Sequence, residues 1–303
     1  MNTHGQAVNK EKAGIGIMTK IGVAGNSLSF YEEGHSSTIE AAKWCADRKI
    51  DIFEYSFGKG ITLSDATAQK IGREFKCNGV EISIHAPYYI NFANPEREAI
   101  EKNFGYVIRS LEKLSVFDNG ERIVFHPATQ GKVSREEAVS VAKRNLTELA
   151  DVIKENGLNR YKTCIETMGK IAQIGTVEEV TDFCNIADFF YPCVDFGHVN
   201  ARTHGSLKTA EDYENIVKYM FDNLAETKVK NMHVHFSKVM YGKGGEIKHL
   251  TFEDTEYGPE FEPLAEIFVK YDMSPVIICE SSGTQAEDAM TMRRIYDSVK
   301  NSL

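Results

Sequence analysis

The sequence has no Cys-x-x-Cys pair among its six cysteines, and their positions follow no regular spacing. This excludes the common cysteine-based zinc motifs and the thioredoxin-type redox motif. In a chain of 303 residues, cysteines without such a pattern are typical of reduced, buried thiols. We therefore expect no disulfide framework and a cytoplasmic location.

A long apolar run and an excess of positive charge are also missing. No apolar segment approaches the roughly 20 residues of a membrane-spanning helix, so we expect no membrane association. The formal net charge of −9 argues against general nucleic-acid binding, because such binding neutralises phosphates with lysine and arginine. A locally basic cleft is still compatible with this charge. A single tryptophan and no obvious apolar patch favour a monomer.

What the sequence does contain is a regular alternation of short apolar segments with amphipathic ones. Apolar segments that predict strands cover residues 21–24, 52–57, 79–85, 122–125, 163–165, 191–194, 230–236 and 276–279. Segments with helical spacing lie between them, and several begin with a Ser or Thr followed three residues later by Glu, a pattern typical of a capping box, at Ser37, Ser134, Thr176 and Thr284.

Strict alternation of strands and helices implies a parallel sheet, and eight such units imply a closed (β/α)8 TIM barrel in the α/β class. An open, doubly wound sheet is the competing fold. It would be expected to carry a glycine-rich phosphate turn after its first strand, and residues 25–27 do not fit GxGxxG. Residues 1–18 are polar and aperiodic, so we expect a flexible tail or expression remnant there and a single barrel domain over residues 19–303.

Side chains that can bind metal ions concentrate at the predicted carboxyl ends of the strands and in the loops beyond them. In a (β/α)8 barrel these ends converge on the face that carries active sites. The candidates are six histidines and three carboxylates: His85, His126, Glu166, Asp195, His198, His233, His235, His249 and Glu280. Any one histidine alone would more often be a packed side chain, but a cluster is typical of a metal centre. Mixed imidazole and carboxylate ligands suit zinc, manganese or iron better than magnesium or calcium.

These ligands are more than one ion needs. A catalytic zinc takes about three protein ligands, so we expect two or three ions. Glu166 or Glu280 could bridge a pair about 4 Å apart, and a water with a lowered pKa would become a metal-bound hydroxide nucleophile. This chemistry is typical of phosphate-ester hydrolysis.

The same side chains fall in seven short segments: SIHAPYYIN, IVFHP, IET, VDFGH, MHVHFSK, KHLTF and ICES. In this order and spacing they resemble endonuclease IV, the abasic-site endonuclease family within the xylose-isomerase-like barrels. The resemblance covers essentially residues 21–300. It implies a zinc-dependent hydrolase, with a trinuclear zinc cluster that cleaves the phosphodiester 5′ to an abasic site in damaged duplex DNA, and thus a role in DNA repair.

The resemblance also implies one ligand set for each of three ions: His85, His126 and Glu166; Glu166, Asp195, His233 and Glu280; and His198 with His249. Glu166 and Glu280 would then be the central catalytic carboxylates. Two positions depart from the family. Its aspartate two residues before the last histidine is Ile247 here, and the adjacent Glu246 could replace it if the loop shifts by one residue. His235 stands where the family has an asparagine and could be an extra ligand or could support one.

Candidate substrate contacts follow from the same loops. Tyr88 matches the family's aromatic that enters the duplex at the lesion, and Tyr89 could also stack on a base. Asn91, Lys238 and Lys243 lie on the same predicted rim and could contact phosphates. The alternatives are packing against the next helix for the tyrosines and ordinary solvation for the lysines.

A metal-dependent sugar or sugar-phosphate isomerase or epimerase on the same barrel is the alternative function. Glu166 and Glu280, each ending a strand, would suit a pair of proton-transfer groups acting on a small sugar. The rich histidine set favours the nuclease, and the nearly intact ligand set disfavours a barrel that has lost catalysis.

Overall fold

The structure, a computed structural model, describes residues 18–58 and 60–302. The predicted tail therefore lies outside the described residues, except for Met18. The strands are β1 Lys20–Ala24, β2 Ile52–Ser56, β3 Glu81–His85, β4 Arg122–Phe125, β5 Ala128–Thr129, β6 Lys162–Glu166, β7 Gln173–Ile174, β8 Phe190–Asp195, β9 His233–Phe236, β10 Val239–Gly242, β11 Gly245–His249 and β12 Val276–Cys279. The helices are α1 Leu28–Glu32, α2 Thr38–Asp47, α3 Asp65–Cys77, α4 Arg97–Phe117, α5 Arg135–Glu155, α6 Val177–Cys184, α7 Phe196–Arg202, α8 Ala210–Asn223, α9 Glu226–Lys230, α10 Phe261–Lys270 and α11 Gln285–Ser302.

Eight of these strands close into a barrel in the order β1, β2, β3, β4, β6, β8, β9, β12 and back to β1. Every neighbouring pair in the ring is parallel. Helices lie between consecutive barrel strands, so the predicted (β/α)8 TIM barrel is confirmed. All eight predicted strand segments contribute a barrel strand.

Alternation along the strands divides the core into an outer layer and an interior. In β4, Ile123 and Phe125 belong to the large cluster that the helices cover, whereas Val124 packs with Cys164 and Cys193 in a small separate cluster. Helical spacing on α4 and α5 supplies the other side of the large cluster with leucines that are fully buried. Each such leucine contributes roughly 2 kcal/mol of burial free energy, so this layer holds the barrel in shape.

Local signals set most helix starts as predicted. The capping boxes that begin at Ser37 and Thr176 form both reciprocal hydrogen bonds, and the Ser134 side chain accepts the expected backbone N–H. At Thr284, the hydroxyl instead donates to Asp288 at 3.0 Å. All six cysteines are free, and Cys77 is the exposed one.

Two small two-stranded sheets lie outside the ring. Strand β5 pairs with β7, and β10 pairs with β11, both antiparallel. The glycine-rich residues 242–246 form the turn of the β10–β11 hairpin together with the last residue of β10 and the first two of β11. The predicted seventh strand starts later than expected, at His233, because the short helix α9 extends to Lys230. Within the described ranges, we find no helix with the length and apolarity to cross a bilayer.

Candidate metal centre

Most of the predicted rim residues meet around one cavity of about 340 Å3 at the carboxyl ends of the strands. Barrel geometry brings them together, because each ends a parallel strand or lies in the loop or helix directly after it. The predicted residues that line the cavity are His85, Tyr88, His126, Glu166, His198, Glu246, His249 and Glu280. Three groups of potential ligand atoms occur here, each with its atoms within 4.8 Å of one another.

The first group consists of His85, His126 and Glu166. The Nε2 atoms of both histidines lie 3.1 Å from Glu166 Oε2. His85 Nδ1 lies 2.8 Å from the Ala86 carbonyl oxygen, which only accepts, so Nδ1 carries the proton and Nε2 keeps its lone pair for the group.

The second group consists of Glu166, Asp195, His235 and Glu280. Nδ1 of His235 lies 3.2 Å from Glu166 Oε1 and 3.4 Å from Glu280 Oε1. Glu166 thus belongs to two groups and points a different oxygen at each. This is the arrangement expected of a carboxylate that bridges two ions.

His233 does not join the second group, contrary to the expectation from the resemblance. In the barrel register, His235 lies opposite Asp195, whereas His233 lies opposite Cys193. Both side chains point inward, but two residues along a strand separate them by roughly 6.6 Å. His233 therefore lies one layer deeper, where its Nε2 is 3.1 Å from Glu54. His235 occupies the place foreseen for His233.

The third group consists of His198, Glu246 and His249. Nε2 of His198 lies 3.5 Å from Glu246 Oε2, while its Nδ1 lies 3.0 Å from the carbonyl oxygen of Thr167. Nδ1 of His249 lies 2.8 Å from the Ser237 hydroxyl. Both histidines are thus held through Nδ1.

A bulge in the β10–β11 hairpin brings Glu246 into this group. The register shifts by one residue in the hairpin, so Ile247 has no partner in β10. As a result, Glu246 and His249 reach the same group although they are three residues apart, and Ile247 is 58% exposed. Two residues on one face of a regular strand would be two apart. The loop therefore has the one-residue shift that would let Glu246 take the place of the acidic residue expected at position 247.

The loop after β6 supports the hairpin. The backbone N–H of Glu246 donates to the carbonyl of Gly169 at 3.1 Å, and a Cβ on Gly169 would come within 2.6 Å of the Glu246 Cβ. Only glycine permits this approach. Arg202 holds the same loop, because its guanidinium donates to four carbonyls at 2.7–3.3 Å, those of Met168, Lys170, Ile171 and Gln173.

The electrostatics of the cavity pair carboxylates with imidazoles. Burial acts to raise the pKa of Glu166, but the His126 and His235 imidazoles outweigh it and hold that pKa well below its ordinary value. Burial raises the pKa of Glu280, and the charges of Asp195 and Glu166 add to the effect. Burial opposes protonation of His198, yet nearby carboxylates raise its pKa to about 9.

The donor set fits divalent metal ions. Asp195 belongs to the second group, and its buried Oδ2 makes no hydrogen bond within the described part of the chain and lies 3.1 Å from His198 Nδ1. Imidazole nitrogens and carboxylate oxygens in groups of three or four suit zinc, manganese or iron. Four carboxylates around one cavity also require positive charge to be stable there.

Glu54 is a residue of this region that the sequence reasoning missed. It lies in the middle of β2, is 1% exposed, and faces His233 and His235. A signal was available, because an acidic residue inside an apolar barrel strand is costly unless it is paired. Burial acts to raise the pKa of Glu54, but the two imidazoles hold it well below its ordinary value.

The predicted aromatic contacts separate into two kinds. Tyr88 is 55% exposed and lines the cavity. Tyr89 packs edge-on against Tyr106 of α4 with 5.0 Å between ring centroids, which is the packing alternative. Asn91 Oδ1 accepts the backbone N–H groups of Ala93 at 3.1 Å and of Thr129 at 3.0 Å, so this oxygen holds the loop, and a contact of the Asn91 amide N–H with a phosphate stays a prediction.

The two predicted lysines also differ. Lys238 is buried, and its ammonium donates to the Asp254 carbonyl at 2.7 Å and lies 2.8 Å from Glu260. It therefore holds the loop after β11 and is unavailable to a substrate. Lys243 is exposed in the turn of the β10–β11 hairpin.

Comparison with known proteins gives relatives along the whole chain and along parts of it. An uncharacterized protein of Methanocaldococcus jannaschii is 28% identical over 93% of this chain and 98% of its own length. A probable endonuclease 4 of Mycoplasmopsis synoviae is 28% identical over 52% of this chain, which spans 54% of that relative. A probable endonuclease 4 of Aquifex aeolicus is 27% identical over 68% of this chain and 74% of its own length.

Solved structures share the fold at low identity. A D-tagatose 3-epimerase-like protein has a TM-score of 0.69 at 19% identity, covering 94% of this chain and 99% of that one. The IOLI protein with a binding zinc atom has a TM-score of 0.67 at 16% identity, covering 93% and 99%. An AP endonuclease, family 2, from Brucella melitensis has a TM-score of 0.62 at 14% identity, covering 91% and 99%.

These structural likenesses establish the barrel, not the reaction. At the level of sequence families, residues 42–296 match the family described as xylose isomerase-like TIM barrel. This match extends from α2 to α11 and includes all three groups of potential ligands. The chain belongs to the xylose isomerase-like TIM barrel family.

Proposed function

We propose that this protein is a metal-dependent phosphodiesterase of the endonuclease IV type, which hydrolyses the DNA backbone 5′ to abasic sites. The observation that carries the proposal is the presence of three ligand groups around one cavity, two of them sharing Glu166. The partial matches to probable endonuclease 4 proteins support it.

The number of groups favours phosphate chemistry over sugar chemistry. One ion with about three protein ligands is enough to polarise a hydroxyketone. Hydrolysis of a phosphodiester places charge on the attacking oxygen, the leaving oxygen and the phosphate together, and adjacent ions can serve all three. A chain that only epimerised sugars would have no evident use for the third group of His198, Glu246 and His249.

The ions would be held by His85, His126 and Glu166, by Glu166, Asp195, His235 and Glu280, and by His198, Glu246 and His249. When bound, zinc or a similar ion would lower the pKa of the attacking water and neutralise charge on the phosphate. Glu166 would fix the spacing of the first two groups through its two oxygens.

The negative charges of the protein imply that the proposed activity depends strictly on metal ions. The cavity is lined by the carboxylates of Glu54, Glu166, Glu246 and Glu280, and the chain has a net charge of −9. Without cations, these groups would repel a phosphodiester. Outside the cluster, Tyr88 offers an exposed ring at the cavity on which a base could stack, or which could fill the gap left by a missing base.

A sugar or sugar-phosphate epimerase or isomerase is the second candidate. The observation that favours it is that Glu166 and Glu280 both face His235 within the second group. One ion there would leave two carboxylates beside a bound ketose for proton transfer.

One experiment separates the two functions. The purified protein is incubated with a duplex that contains a single abasic site, after chelation and after add-back of zinc or manganese, with an undamaged duplex as control. The proposal predicts metal-restored incision on the 5′ side of the abasic site alone. Epimerisation of a ketose by the same metal-loaded sample, without incision, would select the second candidate.

A further inference from the structure

A buried polar cluster lies inside the barrel, directly beneath the proposed metal groups, and Glu54 is its centre. Oε2 of Glu54 accepts a hydrogen bond from the Ser83 hydroxyl at 2.9 Å and lies 3.1 Å from His233 Nε2. Oε1 lies 3.0 Å from His235 Nε2. All four residues are buried, so Glu54 has protein partners in place of solvent.

His235 stands between this cluster and the rim. Its Nδ1 faces Glu166 and Glu280, whereas its Nε2 faces Glu54. Neither His235 Nε2 nor Glu54 Oε1 makes a hydrogen bond elsewhere in the described ranges. A buried carboxylate that faces a ring nitrogen stabilises a proton on that nitrogen. The other nitrogen then carries the lone pair.

We infer that Glu54 is a positioning residue for the metal centre: it holds the Nε2 proton of His235 and so makes Nδ1 the atom that binds the ion of the second group. The inference rests on the proposed function, because it presupposes that the second group binds an ion. Carboxylates that accept the second N–H of a histidine ligand fix its tautomer and orientation in many metal sites.

The nitrogen through which His235 is expected to bind an ion differs from that of three other histidines in the centre. His85, His198 and His249 place Nδ1 against an Ala86 carbonyl, a Thr167 carbonyl and the Ser237 hydroxyl, respectively. They are therefore arranged to bind through Nε2. His235 has the opposite orientation. Its Nε2 faces Glu54, which lies deeper in the barrel than the proposed ions, and its Nδ1 faces the rim.

Ser83 and His233 complete the arrangement. They contact Glu54 Oε2, so the carboxylate keeps Oε1 directed at His235. His233 thus has a role that does not need a metal ion. The competing possibility is an ion inside the barrel, since Cys193, His233 and His235 also offer ligand atoms within 4.8 Å of one another.

The test uses the full chain labelled with 15N-histidine and loaded with 113Cd2+. We expect NMR to show coupling from cadmium to Nδ1 of His235 and a protonated Nε2. In Glu54→Gln, we expect affinity for one equivalent of Cd2+ or Zn2+ to fall roughly 10–100-fold, with partial rescue in Glu54→Asp. Cys45→Ala, a buried change on α2 in the outer core, is the control and should keep both the affinity and the coupling.

Three results would overturn the inference. They are coupling through Nε2 of His235 in the wild type, unchanged affinity and coupling in Glu54→Gln, and loss of one metal equivalent in Cys193→Ser, which would place an ion inside the barrel. If Glu54→Gln does not fold, the wild-type coupling and Ser83→Ala still decide the question. A wild type that binds no metal would refute the proposed function as well, whereas metal-dependent incision with an unaffected Glu54→Gln would refute this inference alone.

Discussion

Glu246 Oε2 lies 3.5 Å from His198 Nε2, although the resemblance to endonuclease IV implied an acidic ligand at the next position, which is Ile247 here. The bulge in the β10–β11 hairpin explains the difference, because it leaves Ile247 unpaired and exposed. A loop change of one residue thus compensates for a ligand that is displaced by one residue.

The first prediction concerns this displaced ligand. Glu246→Ala should release one of the bound ions, because the third group then keeps only its two histidines. Adding Ile247→Asp to that variant should not restore the ion, since residue 247 points to solvent. Metal content by mass spectrometry after dialysis measures both effects, with the exposed Lys248→Ala as control. Full recovery in the double variant would contradict the bulged hairpin.

The shared carboxylate gives a second prediction. Glu166→Gln should lower the rate of incision by more than about 100-fold. Mutation of a residue that only supports a metal ligand commonly lowers metal affinity or activity 10–100-fold, and Glu166 itself belongs to two ligand groups. The barrel should still fold, since glutamine has the same shape. Incision rates and circular dichroism test this against Glu155→Gln, an exposed glutamate at the end of α5 that belongs to none of the ligand groups. Full activity in Glu166→Gln would refute the bridged arrangement.

Arg202 provides a third prediction, on the loop that supports Glu246. Arg202→Met removes four hydrogen bonds from a charged donor to residues 168–173. We expect the free energy of unfolding to fall by about 2 kcal/mol and amide exchange in this loop to accelerate. Affinity for the third ion should fall as well, because Gly169 in this loop binds the Glu246 backbone. Arg144→Met, on the exposed face of α5, is the control and should change none of these.

The aromatic pair after β3 gives a fourth prediction. Tyr88→Ala should weaken binding of abasic duplex roughly 10-fold, as a lost stacking contact does, with kcat less affected than KM. The free energy of unfolding of Tyr88→Ala should change by less than about 0.5 kcal/mol, since the Tyr88 ring is exposed. Tyr89→Ala should instead lower the stability and leave duplex binding nearly unchanged, because that ring packs on Tyr106. Equal effects of both changes on KM would contradict this assignment; Tyr219→Ala is the surface control.

A fifth prediction concerns pH and stability away from the cavity. Glu214 of α8 accepts hydrogen bonds from Lys218, Tyr271 and Lys270, in that order of importance, and these lower its pKa to about 2. The folded pKa lies below the unfolded one, so the stabilisation is fully present above about pH 4.5 and is lost as the pH falls toward 2. The difference in Tm between wild type and Glu214→Gln should therefore shrink over this range. A difference that grows on acidification would contradict the argument.

The sequence was sufficient for the barrel and for most of the rim. Strands and helices are local patterns, and a residue at the end of a parallel strand reaches the catalytic face whatever its neighbours are. His85, His126 and Glu166 could therefore be placed on one rim in advance, the resemblance implied that they form one group, and the structure places them together.

The sequence did not show how deep inside the barrel a residue of a strand lies. Whether His233 or His235 meets Glu166 depends on the register between β8 and β9, and the two residues share one inward face. The resemblance selected His233, and the register selects His235. Glu54 was missed for a related reason, because its partners lie on a strand far along the chain.

The surface assignment of Lys238 failed because its partners are distant in sequence. Lys238 was expected on the substrate side, but Glu260 and the Asp254 carbonyl hold it inside. Its loop position carried no sign of these contacts. Asn91 Oδ1 also has a partner that its loop position did not show, the backbone N–H of Thr129, which follows the next strand.

The most direct test of the proposed function is a titration of metal-free protein with zinc, in which incision of an abasic duplex and bound zinc per chain are measured in the same samples. We predict that 5′ incision appears only as the second or third equivalent binds, since the first two groups share Glu166. Full incision with a single bound ion, or no incision from a folded protein that holds three, would contradict the proposed function.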